Sequence, residues 1–126
     1  MATLNQIVAV VDDDESVCRA VKRLLRSVRI KAETFSSGEE FLGTLSSTAS
    51  YLPACVVLDF QMPGINGLEL QRRLAPTGVP VICITGHNDP AVREKALASG
   101  AAACLRKPFN NATLVKAVEI ALGAAP

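Results

Sequence analysis

Long apolar runs are missing from this chain: none exceeds about half a dozen residues, far short of the roughly 20 that a helix needs to cross a bilayer. The opening segment MATLNQIVAV has no basic region ahead of a long apolar stretch, so no secretory signal is visible. Charge of one sign is also missing. The formal net charge is +1, which gives no reason to expect a general binder of nucleic acid or of membrane surfaces. A single histidine, His87, leaves no partner for a histidine-based metal site and reads as a loop residue. The cysteines at 18, 55, 83 and 104 include no close pair, so neither zinc nor disulfide spacing is present. Cys55, Cys83 and Cys104 fall in apolar, strand-like stretches, where a free thiol behaves as a small hydrophobe. Buried, reduced thiols in a cytoplasmic protein are the expectation.

What is present fits a globular chain. With 126 residues, 49% of them hydrophobic and 20% charged, residues 1–126 read as one domain with enough length to bury a core. Apolar runs alternate with helical patterns five times. QIVAVV (6–11) predicts a buried strand and ESVCRAVKRLLRSV (15–28) a helix with Val17, Val21, Leu24, Leu25 and Val28 along its apolar stripe. KAETF (31–35) alternates like a strand near an edge, and SGEEFLGTL (37–45) opens a helix with Ser37 and Glu40 at capping-box spacing. ACVVLD (54–59) is a third strand, and INGLELQRRLA (65–75) a helix with Asn66 as its N-cap. VPVICIT (79–85) precedes DPAVREKALASG (89–100), a helix capped by Asp89, entered through Pro90 and stopped at Gly100. AACLRK (102–107) and NNATLVKAVEIALG (110–123) complete the series. Continuous apolar strands between helices call for a parallel sheet covered on both faces. The expected fold is therefore α/β, doubly wound, with five parallel strands in the order 2-1-3-4-5 and five helices.

In such a sheet, ligands bind beyond the carboxyl ends of the strands, where the strand order reverses. The first strand ends at Asp12 and Asp13, the third at Asp59, the fourth at Thr85 and the fifth at Lys107. Strands one and three are neighbours in the order 2-1-3-4-5. Asp12, Asp13 and Asp59 should then share a pocket, with Thr85 and Lys107 along its rim. Two unit charges about 4 Å apart repel by about 4 kcal/mol at an effective dielectric of 20. Carboxylates clustered in this way, with no nitrogen or sulfur partner, suit a hard cation such as Mg²⁺. A hydroxyl and an ammonium opposite them suit the oxygens of a phosphoryl group. A simpler use for the acidic run also exists, because any of Asp12 to Asp14 would cap the first helix. One acid is enough for that. Met62 reads as packing.

Together these residues resemble the receiver domain of response regulators in bacterial two-component signalling (the flavodoxin-like receiver fold). VVDDDESV, VVLDFQMPGINGLEL, VICITGH and CLRKPF stand in that family's order and roughly its spacing, over nearly the whole chain. The resemblance implies that Asp59 accepts a phosphoryl group. It also implies that Asp12 and Asp13 position Mg²⁺, Asp13 more directly, and that the backbone carbonyl of Gln61 coordinates the same ion. Thr85 would be the switch hydroxyl and Lys107 the contact to phosphoryl oxygens, with a cis peptide at Lys107–Pro108. The implied partners are a sensor histidine kinase or phosphotransfer protein and a downstream output protein or domain. A homodimer on activation is a further possibility, with no direct role for nucleic acid or membrane. The implied activity is that of a signalling switch, not of an enzyme. Cys104 departs from the pattern, since many receivers carry an aromatic ring there that moves with the threonine. That departure puts in doubt the usual route to the surface built from the fourth helix, fifth strand and fifth helix.

Three rival readings use the same residues. A haloacid-dehalogenase-type phosphatase would use Asp12 and Asp14, but Ser16 is atypical for it and Asp59 with its Pro63-Gly64 loop would have no role. A flavin mononucleotide site on the same fold would put a phosphate in the DDDES turn, which would repel it. A receiver that only binds partners would be expected to have lost more of the site than the aromatic.

Overall fold

The computed structural model describes residues 6–47, 51–62, 64–86 and 90–123. Five strands, β1 (Ile7–Val11), β2 (Lys31–Phe35), β3 (Cys55–Asp59), β4 (Val81–Thr85) and β5 (Ala103–Arg106), alternate with five helices. These are α1 (Glu15–Ser27), α2 (Gly38–Ser47), α3 (Gly67–Leu74), α4 (Pro90–Ala98) and α5 (Asn111–Ala121). A 3-10 turn at Ala75–Thr77 extends α3. The strands form one sheet in the order β2-β1-β3-β4-β5, and every pairing is parallel.

Side chains alternate across a strand, so each strand feeds two cores. Val8 and Val10, Cys55 and Val57, and Ile82 and Ile84 face α1 and α5, where they meet Cys18, Val21, Leu25, Leu114 and Val118. Ala9 and Val11, Val56 and Leu58, and Val81 and Cys83 face the other way, towards Phe41 of α2, Leu70 and Leu74 of α3, and Ala96 of α4. Every residue of β3 and β4 is buried, whereas β2 and β5 are only partly so, as befits central and edge positions.

The same alternation places the polar ends of the strands. Asp12 continues the Val8–Val10 row, Asp59 the Cys55–Val57 row and Lys107 the Ala103–Leu105 row. All three therefore leave the sheet on the α1/α5 side. Thr85 continues the Val81–Cys83 row, on the opposite side.

The expected elements are all present, with local corrections. Asp14 is the N-cap of α1, its carboxylate accepting from the backbone N–H of Ser16 and Val17. The buried stripe of α1 runs through Cys18, Val21 and Leu25, while Val28 lies outside the helix and is exposed. Cys18, absent from the expected stripe, is thus the first buried residue of that face. Helix α2 continues the stretch that opens it at 37–45 and ends at Ser47. Ser37 Oγ accepts from Glu40 N at 3.0 Å, but the Glu40 carboxylate reaches back to Ser36 N instead of Ser37 N. Asn66 caps α3 as expected. Asn110, expected inside the fifth helix, is its N-cap, accepting from Ala112 N and Thr113 N. The expected Asp89 cap, His87 and Pro63 lie outside the described residues.

Candidate functional site

Three neighbouring aspartates sit in three different surroundings. Asp12 is 2% exposed at the end of β1, Asp13 is exposed, and Asp14 is committed to the helix cap. Asp59, 4% exposed, ends β3, the strand beside β1. One carboxylate oxygen from each of Asp12, Asp13 and Asp59 lies within 4.8 Å of the others. Lys107, one residue past β5, places Nζ 2.9 Å from Asp12 Oδ2 and 3.4 Å from Asp59 Oδ2. Its backbone N–H donates to the Thr85 carbonyl at 2.7 Å, and the Lys107–Pro108 peptide is cis.

The charges do not balance, since three carboxylates face one ammonium. Burial raises the Asp59 carboxyl above its ordinary value. The Gln61 N–H on Oδ1 (2.9 Å) pulls it down, the Asp12 charge pushes it further up, and Lys107 opposes both upward effects. For Lys107, burial favours the neutral amine, but the Asp12 and Asp59 carboxylates outweigh it and hold the ammonium above its usual range. Asp12 Oδ2 faces the Lys107 ammonium at 2.9 Å. Three carboxylate oxygens within 4.8 Å of one another, with one ammonium to offset them, are a set of hard donors that fits a divalent cation.

The loop after β3 is held by contacts that no sequence pattern announced. Gln61, exposed, accepts from Gly86 N through its side-chain oxygen, linking the β3 and β4 ends. Glu39 of α2 accepts from Ile65 N at 2.9 Å, and this hydrogen bond lowers its carboxyl. Buried Gln71 donates to the Ala96 carbonyl at 3.1 Å, joining α3 to α4. Gly67 opens α3 directly against Phe60, where a Cβ would lie 2.6 Å from Phe60 Cα. The three polar bridges carry no spacing signal in the sequence.

The structure brings Asp12, Asp13, Asp59 and Lys107 together. Thr85 is at the end of β4, but it is 4% exposed and so more enclosed than the rim position expected of it. Gln61 follows Asp59 in the same loop. Asp14, which the phosphatase reading needs, is turned to the backbone of α1, and that reading finds no support.

Comparison with known proteins agrees with this fold. The family model for the response regulator receiver domain matches residues 8–119. Response regulator protein TmoT of Ectopseudomonas mendocina is 38% identical over 122 residues, covering 95% of this chain and 54% of that protein. Nodulation protein W of Bradyrhizobium diazoefficiens is 40% identical, over 93% of this chain and 51% of its own length. Among solved structures, a response regulator receiver protein from Burkholderia phymatum superposes with a TM-score of 0.88 at 60% identity, covering 96% of this chain and 98% of its own. The structure titled FixJ-N gives a TM-score of 0.83 at 29% identity, with 97% of each chain covered. This chain belongs to the response regulator receiver domain family, a family of two-component signalling domains in which aspartate phosphorylation is a general property. The chain spans about half the length of the curated relatives it matches.

Proposed function

We propose that residues 1–126 act as a single receiver domain in which Asp59 is the phosphoacceptor. The observation that supports this best is the buried Asp59 carboxylate, within 4.8 Å of the Asp12 and Asp13 oxygens and 3.4 Å from the Lys107 ammonium. Asp12, Asp13, Asp59 and the backbone carbonyl of Gln61 would hold Mg²⁺. Bound there, the ion offsets charge on the carboxylates and on the incoming phosphoryl oxygens.

The protein's own groups do the rest. The Gln61 N–H on Oδ1 fixes the Asp59 carboxylate and leaves Oδ2 for attack on the phosphohistidine of a histidine kinase or phosphotransfer protein. Attack forms a carboxyl O–P bond as the N–P bond breaks. Lys107 follows the charge from carboxylate to phosphoryl oxygens, and Thr85 contacts the phosphoryl group from the other side of the sheet. These contacts are tighter in the phosphorylated state, which is the condition for shifting the population of the α4–β5–α5 surface. A downstream output protein or domain, or a second copy of the chain, reads that surface. Cys104 in place of an aromatic ring makes the route through β5 different from the one the family resemblance implies. Hydrolysis of the acyl phosphate resets the switch, so the chain modifies itself instead of turning over substrate. The donor, and hence the site of action, is cytoplasmic. No helix among the described residues is long and apolar enough to cross a membrane.

Incubation with acetyl phosphate and Mg²⁺ tests the reading. Intact mass should show one added phosphoryl group, lost in Asp59→Asn and without Mg²⁺. Undiminished labelling of Asp59→Asn would end it.

A further inference from the structure

Two thiols stand together in a place the phosphoryl site does not use. Cys83 of β4 and Cys104 of β5 are register partners on adjacent strands, and their Sγ atoms lie 2.7 Å apart. Non-bonded heavy atoms rest at about 3.5–4.0 Å, and a disulfide bond spans about 2.05 Å. The sulfurs are therefore already inside packing distance. Neighbouring strands run about 4.8 Å apart, and disulfides join Cα atoms about 4.4–6.8 Å apart. A bond between these two residues thus needs neither strand to leave the sheet. The other two cysteines are placed differently: Cys18 Sγ donates to the Asp12 carbonyl at 3.3 Å, and Cys55 is buried in β3.

The pair is also reachable from one side. Cys83 is fully buried, whereas half-buried Cys104 lines an open cavity of about 520 Å³ together with Thr85, Arg93 and Arg106. A small oxidant can meet the Cys104 sulfur there without unfolding the sheet.

We propose that Cys83 and Cys104 form an oxidation site, which a hydroperoxide closes to a reversible disulfide tying β4 to β5 two residues before Thr85 and three before Lys107. The Cys104 sulfur takes the terminal oxygen of the hydroperoxide. The O–O bond breaks, an alcohol (or water) leaves, and a sulfenic acid remains. The Cys83 sulfur then attacks the Cys104 sulfur, the S–O bond breaks, and the hydroxyl departs as water with the Cys83 proton. Two electrons pass in total from the thiols to the hydroperoxide. Cys104 is the half-buried member of the pair and lines the cavity, whereas Cys83 is fully buried, so Cys104 is the sulfur that meets the oxidant first.

The experiment takes fully reduced protein, exposes it to hydrogen peroxide, denatures it, and counts the thiols that still react with a maleimide by intact mass. The four thiols should fall to two, with a peptide cross-link mapping to Cys83 and Cys104 that dithiothreitol reverses. Cys104→Ala, checked for native circular dichroism, should keep all three remaining thiols after the same exposure; Cys83→Val, checked likewise, should form no cross-link and keep two, with Cys104 stopped at the oxidised sulfur, and Cys18→Ala should still form the cross-link. Persistence of four thiols, Cys104 going to sulfinic acid without cross-linking, or a cross-link through Cys18 or Cys55 would overturn the proposal.

Discussion

Replacing Asp59 with asparagine should stabilise the protein when divalent ions are absent and destabilise it, relative to the native chain, when Mg²⁺ is present. Asparagine keeps the shape and the Oδ1 acceptor for Gln61 N–H, so the change is almost purely one of charge. Repulsion from Asp12, within 4.8 Å, amounts to at least about 3.5 kcal/mol at an effective dielectric of 20. Attraction to Lys107 at 3.4 Å is about 5 kcal/mol on the same scale. Asp13 adds a smaller repulsion because it is exposed and screened. These contributions nearly cancel, and burial of the carboxylate decides the sign, in line with its raised pKa. A neutral amide is cheaper to bury than a carboxylate, and after solvent relaxation a gain of about 1–2 kcal/mol is expected. That corresponds to a rise in Tm of roughly 4–8 °C. With Mg²⁺ at about 100 times its Kd, the native chain gains about 2.7 kcal/mol, whereas the variant has lost a ligand, so the order should reverse. Thermal melts of both proteins in EDTA and in Mg²⁺ read this directly. A variant that melts below the native protein in EDTA, or curves whose order does not change with Mg²⁺, would refute the charge account of the pocket.

Other outcomes follow from the same contacts. Asp13→Ala should abolish the thermal protection that beryllofluoride with Mg²⁺ gives the native protein, and equal protection of the two would remove Asp13 from the ion site. Gly67→Ala should cost about 1–3 kcal/mol in urea unfolding, because its Cβ meets the Phe60 backbone and neither can withdraw. The Asp14 carboxyl is lowered chiefly by its Ser16 hydrogen bonds, so its contribution to α1 is fully present above its ordinary value of 3.8 and is lost as pH falls through the lowered one. An NMR titration should place its inflection below 3.8, and an inflection above that value would contradict the cap.

The fold was legible because its signal is repeated. Each of the five apolar runs had a helix-period segment after it, and a parallel sheet is the arrangement that buries both faces of such runs. The convergence of Asp12, Asp59 and Lys107 was legible for a related reason, since residues at strand ends inherit the alternation of the strand before them. Asp14 shows where reading stops, because three equivalent acids in a row do not say which one caps a helix until the backbone turns. The Gln61–Gly86, Glu39–Ile65 and Gln71–Ala96 bridges were invisible for a different reason. Each joins residues 25 or 26 positions apart, with no periodicity linking them. The Cys83–Cys104 pairing depends on the register of two strands, which their apolar character alone leaves open.

The most direct measurement is to locate the phosphoryl group itself. Protein labelled by a phosphohistidine donor, reduced with borohydride and digested, should carry homoserine at position 59 and unmodified aspartate at 12, 13 and 14. Homoserine at 12 or 14, with Asp59 intact, would contradict the assignment of the buried carboxylate between β1 and β4 as the acceptor.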